Sequence, residues 1–274
     1  MGRLSLFLVE GKTLRRKIVS VALLSVSLLA FAGAAGAQYH GGPVIISAKV
    51  VNIFWGPTFS NPASPDYTYA QSLVAFRNQF GTSREYNVIT QYYQVVGGVR
   101  QFVQLSNLST GTADWFDTST PPTNVTDTAV RSKIQAYLAT HPFNNSTIYQ
   151  VFLPSTSYSS NGSSTSCGGP GLAYCEYRAV FTSGASTVKY TVQPYASCGA
   201  CQVSSSWTPA QNQEHLVSHS TRETVVNPLG NAWYDSTTGI DFSDKCVWSP
   251  APFLDGLYGY AYEWSLATSS CVKW

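Results

Sequence analysis

Charged side chains are scarce in this 274-residue chain: Asp, Glu, Lys and Arg make up 11% of it, with 16 basic against 14 acidic. Even that small basic excess is local. Arg3, Lys12, Arg15, Arg16 and Lys17 lie in the first 37 residues with one acid, Glu10, so residues 38–274 carry 11 basic and 13 acidic groups, a formal charge of −2. No basic stripe for nucleic acid remains. Beyond residue 37 no apolar run approaches the about 20 residues of a bilayer span. There is no G-x-S-x-G nucleophile elbow, and no second C-x-x-C to complete a four-cysteine zinc site. No glycine-rich loop follows a strand to cradle a phosphate; Gly168-Gly169-Pro170-Gly171 lies between two cysteines and reads as a turn.

What the chain does have begins at its N-terminus. Arg15-Arg16-Lys17 precede the apolar run IVSVALLSVSLLAFAG, which ends in Ala35-Gly36-Ala37. A charged segment, an apolar segment and an A-x-A-like site predict a secretory signal peptide over residues 1–37, cut before Gln38. Residues 38–274 then form one domain, rich in Ser, Thr, Asn, Gly and Tyr, as suits an exported protein with a neutral, hydroxyl-covered surface. No membrane attachment is expected after cleavage. The six cysteines, all between 167 and 271, point to disulfides in an oxidising compartment. Local pairing is expected: Cys167–Cys175, Cys198–Cys201 and Cys246–Cys271.

Periodicity gives the framework. Val44 to Trp55 reads as a buried strand, interrupted near Ser47. Ser64-Pro65-Asp66 opens a helix in which Tyr69, Leu73, Phe76 and Phe80 recur on one face until Gly81. Val88 to Val96 returns to strand character, and 106–125 is a polar loop. Asp127 starts a second helix with Val130, Ile134 and Leu138 inward. Ile148–Leu153 is a central strand, 154–171 a Ser/Gly loop, and Tyr177–Phe181 and Val188–Pro194 two further β pieces. A third helix runs from Pro209 to about Val225, and the aromatic tail from Gly259 ends in a disulfide-pinned strand. Strands alternating with helices predict an α/β fold, a mixed β-sheet with packed helices, its C-terminal part stabilised by disulfides.

The third helix carries the chemistry. In EHLVSHSTRETVVNPLGNAWYD, His219 and Glu223 are four apart and share a helix face, so both can reach one metal ion. Asp235, Asp241 or Asp244, in the following loop, can complete three protein ligands; the set taken here is His219, Glu223 and Asp244, with Zn2+ as the ion. His215 lies one turn earlier on the same face. Ser220 occupies the position where an H-E-x-x-H zinc-protease helix carries its proton-accepting glutamate. The plain alternative is an ordinary His–Glu pair near a helix end.

Several blocks along the chain together carry a resemblance. They are Gly41-Gly42-Pro43-Val44 with its strand ending Phe54-Trp55-Gly56, Tyr86-Asn87-Val88-Ile89-Thr90-Gln91-Tyr92-Tyr93, Tyr149–Leu153 and Cys175-Glu176-Tyr177. Further on stand Asn227-Pro228, Asn231-Ala232-Trp233-Tyr234-Asp235, Asp244-Lys245-Cys246 and Glu263-Trp264-Ser265. In this order the chain resembles the phosphate-induced protein (EXORDIUM-like) family of exported proteins. The resemblance implies a zincin-like helix in which His219 and Glu223 match the histidine and second glutamate of an H-E-x-x-E pattern. It departs from that pattern at Ser220. It also departs at Arg178, where bacterial relatives often carry histidine, and at Asp241, where they carry glutamate.

Three functions follow. The first is an exported binder on a metallopeptidase-like scaffold, catalytically impaired at Ser220, acting on a cell-wall component, the extracellular matrix or a peptide. The second is an active metal-dependent hydrolase whose catalytic groups are Glu223 and Asp241, with Asp241 or Glu214 replacing the missing base; losing a well-placed base costs about 10²–10⁴-fold in rate. A carbohydrate-binding protein using exposed aromatics is the third class.

Overall fold

The structure, a computed structural model, describes residues 38–274; the signal-peptide expectation lies outside them. Five strands build the central sheet: β1 (Lys49–Trp55), β2 (Trp115–Asp117), β3 (Thr147–Phe152), β4 (Tyr177–Ser183) and β5 (Ser186–Gln193). Their order is β4-β5-β3-β1-β2. The β4–β5 hairpin is antiparallel and the other neighbours are parallel, so the sheet is mixed. Three long helices, α1 (Pro65–Phe80), α2 (Asp127–Leu138) and α3 (Pro209–Val226), cover it. The expected mixed α/β architecture is the one observed.

Each helix starts on a residue able to satisfy its free N–H groups. Ser64 caps α1 and Thr126 caps α2. Thr208 and Gln211 form a reciprocal capping box on α3, the Thr208 hydroxyl accepting from Gln211 N at 3.1 Å and Gln211 Oε1 from Thr208 N at 2.9 Å. The period-two pattern of the strands then sorts two cores. Val51, Ile53, Tyr149, Val151, Val188 and Tyr190 face Val130, Ile134 and Tyr137 of α2. On the other face Val50, Phe54, Ile148 and Phe152 meet Leu73, Phe76 and Phe80 of α1 and Val217 and Val225 of α3.

Several expected boundaries move for identifiable reasons. Strand β1 starts at Lys49 rather than Val44, because the backbone ahead of it is used elsewhere: Ile45 N donates to Val225 O at the end of α3, and Ile46 O accepts from Gln104 N. Val88–Gln91 forms a 3₁₀ turn, with strand pairing only from Tyr93. The polar 106–125 segment supplies the edge strand β2. Just ahead of it the Asp114 carboxylate is clamped by Arg77 (2.6 Å) and accepts from Asn52 N at 3.0 Å, which pins that segment to α1 and β1. Gly81 ends α1 with an ordinary right-handed φ of −65°. A Cβ there would sit 2.1 Å from Ser106 O, so the glycine answers to close approach of the chain rather than to a left-handed turn.

The disulfides correct the sequence expectation at two of three places. Cys246–Cys271 forms as expected, but the other pairs are Cys167–Cys198 and Cys175–Cys201. The reason is the β4–β5 register. Tyr177 lies opposite Val192, so the chain entering the hairpin runs beside the chain leaving it. Cysteines near in space are therefore those on opposite flanks of the hairpin. Cys198 and Cys201 sit at either end of a short 3₁₀ turn and bond outward across the hairpin flanks.

Helix α3 is enclosed, with nearly every residue from Ala210 to Val226 buried. Its sheet-facing side is polar. Thr221 Oγ1 accepts from Gln150 Nε2 at 2.8 Å and Ser220 Oγ from Gln193 Nε2 at 2.9 Å, while Gln213 Nε2 donates to Gln193 Oε1 at 2.8 Å. The outer side is covered by the C-terminal segment: Gly259 N donates to Glu214 at 2.8 Å and Ala261 N to Ser218 Oγ at 3.0 Å. A side chain at Gly259 would meet Gln211 O at 2.3 Å. A polar helix can be buried because these groups find partners; each one left unpaired would cost about 1–3 kcal/mol.

Candidate metal centre

The enclosure of α3 sets up the site. His219 and Glu223 lie on one face of it, both nearly inaccessible. Two other segments converge on that face. Glu176 directly precedes β4 and follows Cys175, which is bonded to Cys201. Asp244 stands in the 3₁₀ turn Ser243–Cys246, anchored by Cys246–Cys271 and by the ion pair of Lys245 with Asp235. His219 Nε2 faces an oxygen of each carboxylate, at 3.3 Å from Asp244, 3.7 Å from Glu176 and 3.8 Å from Glu223. Ligand atoms about 2.0–2.1 Å from a tetrahedral zinc ion lie about 3.3–3.4 Å from one another. Glu176, His219 and Glu223 each place a donor atom within 4.8 Å of the other two, slightly wider than that spacing, and Asp244 adds a carboxylate oxygen 3.3 Å from the imidazole, so the donor types are those zinc takes.

The charges support the fit. Glu176, Glu223, Asp241 and Asp244 gather around a single guanidinium, Arg178, and the His219 ring. Arg178 projects from β4, contacts Glu223 at 2.8 Å, pairs with Asp241 and donates to Asn227 O at 3.1 Å. Asn227 Nδ2 holds the other Asp241 oxygen. Burial pushes Glu176 up to about 8, reinforced by Glu223 and Asp244 and opposed by His219. Burial likewise pushes Glu223 up to about 8, with Arg178 opposing. For His219 burial favours the neutral ring, but the hydrogen bond with Asp244 and the charge of Glu176 outweigh it and raise its pKa. Glu176 Oε2 and His219 Nδ1 are buried without a hydrogen-bond partner. Four acids thus face two cations in a low-dielectric pocket, which holds Glu176 and Glu223 toward their protonated forms in the absence of a further cation and leaves donor atoms open.

The sequence-predicted residues separate. His219, Glu223 and Asp244 come together. Asp241 lies beside them but is held by Arg178 and Asn227. Asp235 is held by Lys245 and by Thr237 N. The His215 ring packs edge-on against Trp248, 4.8 Å between centroids, and burial pushes its pKa down to about 3. It joins no cluster of three potential ligands among the described residues. Ser220 is turned to the sheet and Gln193, so a glutamate there would enter the helix–sheet interface. The sulfurs of Cys167, Cys198 and Cys201 are close together, but as disulfides they offer no thiolate. Glu176 was missed by sequence reasoning. Its local signal is only an acid between a cysteine and a strand, and it reaches His219 through the hairpin register.

Glu214 lies on the flank of α3 away from this cluster, and burial pushes it up to about 8 against the hydrogen bond from Gly259. Its folded pKa is above the ordinary 4.5, so the folded state keeps a proton that the unfolded chain releases. Stability should fall as pH rises from the ordinary value toward about 8. Glu214→Gln keeps an oxygen for Gly259 and removes the ionisation, so it should gain about 1–3 kcal/mol over the wild type at pH 7. Denaturant unfolding of both proteins between pH 5 and 8 checks this. A difference independent of pH would contradict it.

Compared with known proteins, the chain matches no family model, no curated protein and no solved structure.

Proposed function

We propose that the chain is an exported protein in which Glu176, His219, Glu223 and Asp244 hold a divalent cation of zinc type, and that it acts by binding rather than hydrolysis. The partner class is a cell-wall component, the extracellular matrix or a peptide, in keeping with the resemblance to phosphate-induced (EXORDIUM-like) proteins. One observation carries the metal reading: a buried imidazole nitrogen faced by three carboxylate oxygens at 3.3–3.8 Å. Export is supported by three disulfides, and no helix among the described residues is long and apolar enough to cross a membrane. The ion would supply positive charge and tie α3 to the disulfide-anchored segments at 176 and 244.

Binding is favoured over hydrolysis because each carboxylate suggested as a substitute base is committed elsewhere. Asp241 is held by Arg178 and Asn227, and Glu214 by Gly259 on another flank. Glu176, whose Oε2 is buried beside the imidazole without a hydrogen-bond partner, supports the second reading, a hydrolase in which it accepts the proton. Zinc-treated protein incubated with fluorogenic peptides distinguishes the two. The binding reading expects turnover no faster than that of His219→Ala. Zinc-dependent turnover abolished by Glu176→Gln would replace it with the second.

A further inference from the structure

At the end of the sheet where β1, β3 and β5 begin, a cavity of about 570 Å³ opens between the segment leading into β1, the 93–96 strand and the turn after α3. Lys189 of β5 lines it and is 5% exposed. Its ammonium donates to Asn145 O (2.7 Å) and Asn145 Oδ1 (2.6 Å), which uses two of three N–H groups. The other enclosed cations each have an acid: Arg77 has Asp114, Lys133 has Asp117, Arg178 has Glu223 and Asp241, and Arg222 has Glu263. Among the described residues no carboxylate lies within ion-pair distance of Lys189, and burial lowers its pKa. The carbonyl end of α3 nearby carries at most partial charge, and Val225 O is already taken by Ile45 N. A buried ammonium without a counter-charge is costly, and buried charges are ordinarily paired.

The lining is otherwise mixed: Gln94, Asn145, Ser146 and Thr187 are polar, while Val44, Ile46, Val96 and Leu229 form an apolar side, with Val96 53% and Leu229 39% exposed. An apolar side next to a few convergent polar groups is the composition of a small-molecule site, and the volume lies within the usual range. We infer that this cavity binds a small organic carboxylate with a short apolar body, its head on Lys189 and its body against Val44, Ile46, Val96 and Leu229.

Octanoate, octan-1-ol and acetate serve as probes in calorimetric titrations of the disulfide-intact protein. Octanoate should bind with a Kd in the millimolar range or below, and octanol and acetate each at least about tenfold more weakly. Lys189→Met removes the charge and should weaken octanoate at least about 30-fold. Leu229→Asp places a like charge on the exposed rim, where folding does not depend on it, and should weaken octanoate similarly; it decides the matter should Lys189→Met not fold. No octanoate binding at about 10 mM, equal binding of octanol, or unchanged affinity in a folded variant would overturn the inference.

Discussion

Replacing Arg222 by methionine should destabilise the protein by about 3–5 kcal/mol, the usual cost of removing one member of a buried ion pair. Arg222 and Glu263 are both fully buried, and Glu263 Oε2 lies 3.1 Å from Arg222 Nε. The guanidinium donates to Ser218 O on its own helix, to Glu85 O, and to Ala261 O and Tyr262 O in the C-terminal segment. Glu263 in turn accepts from Ser243 Oγ and Trp264 N at 2.9 Å each. Loss of Arg222 leaves four backbone carbonyls and a buried carboxylate without their cation. The double variant Arg222→Met/Glu263→Gln should cost less than the sum of the single changes, because removing the charge of Glu263 relieves the penalty left by the first. Guanidinium unfolding with disulfides intact measures all three. Strict additivity would mean that the two charges do not depend on each other.

The second large effect concerns the metal. An ion that binds only the folded chain stabilises it by about 4 kcal/mol at 1,000 times its dissociation constant. Zinc should therefore raise the unfolding midpoint by several degrees. His219→Ala should abolish that shift, and Glu176→Gln should reduce it sharply. Cys246–Cys271 and the two hydrophobic cores do not involve His219, so the alanine variant is expected to fold. An equal shift in wild type and His219→Ala would place the ion elsewhere.

Much of the framework was legible because its signals are local. Ser64-Pro65 and Thr208-Pro209 mark helix starts by capping chemistry, and the spacing of Tyr69, Leu73, Phe76 and Phe80 marks an inward helix face. The His219–Glu223 pair was legible for the same reason, since four residues on a helix is a fixed geometry. What failed was long-range. The disulfide partners of Cys167 and Cys175 depend on how Tyr177 pairs with Val192. Glu176 becomes a neighbour of His219 only once that hairpin lies beside α3. Sequence also could not tell which way Ser220 points: position 220 reads as a vacancy beside a metal ligand, yet its hydroxyl serves the sheet through Gln193. The edge strand Trp115–Asp117 lay hidden in a polar segment, because its order comes from the Arg77–Asp114 clamp rather than from apolar periodicity.

The central claim is that one imidazole and its surrounding carboxylates form a divalent-cation site. Native mass spectrometry of the oxidised protein after zinc exposure and removal of free ion tests it most directly. The account predicts one zinc per chain in the wild type and none retained in His219→Ala. Wild-type protein without zinc, or with the same content as the alanine variant, would contradict it and leave His219 and Glu223 as an ordinary buried pair on α3.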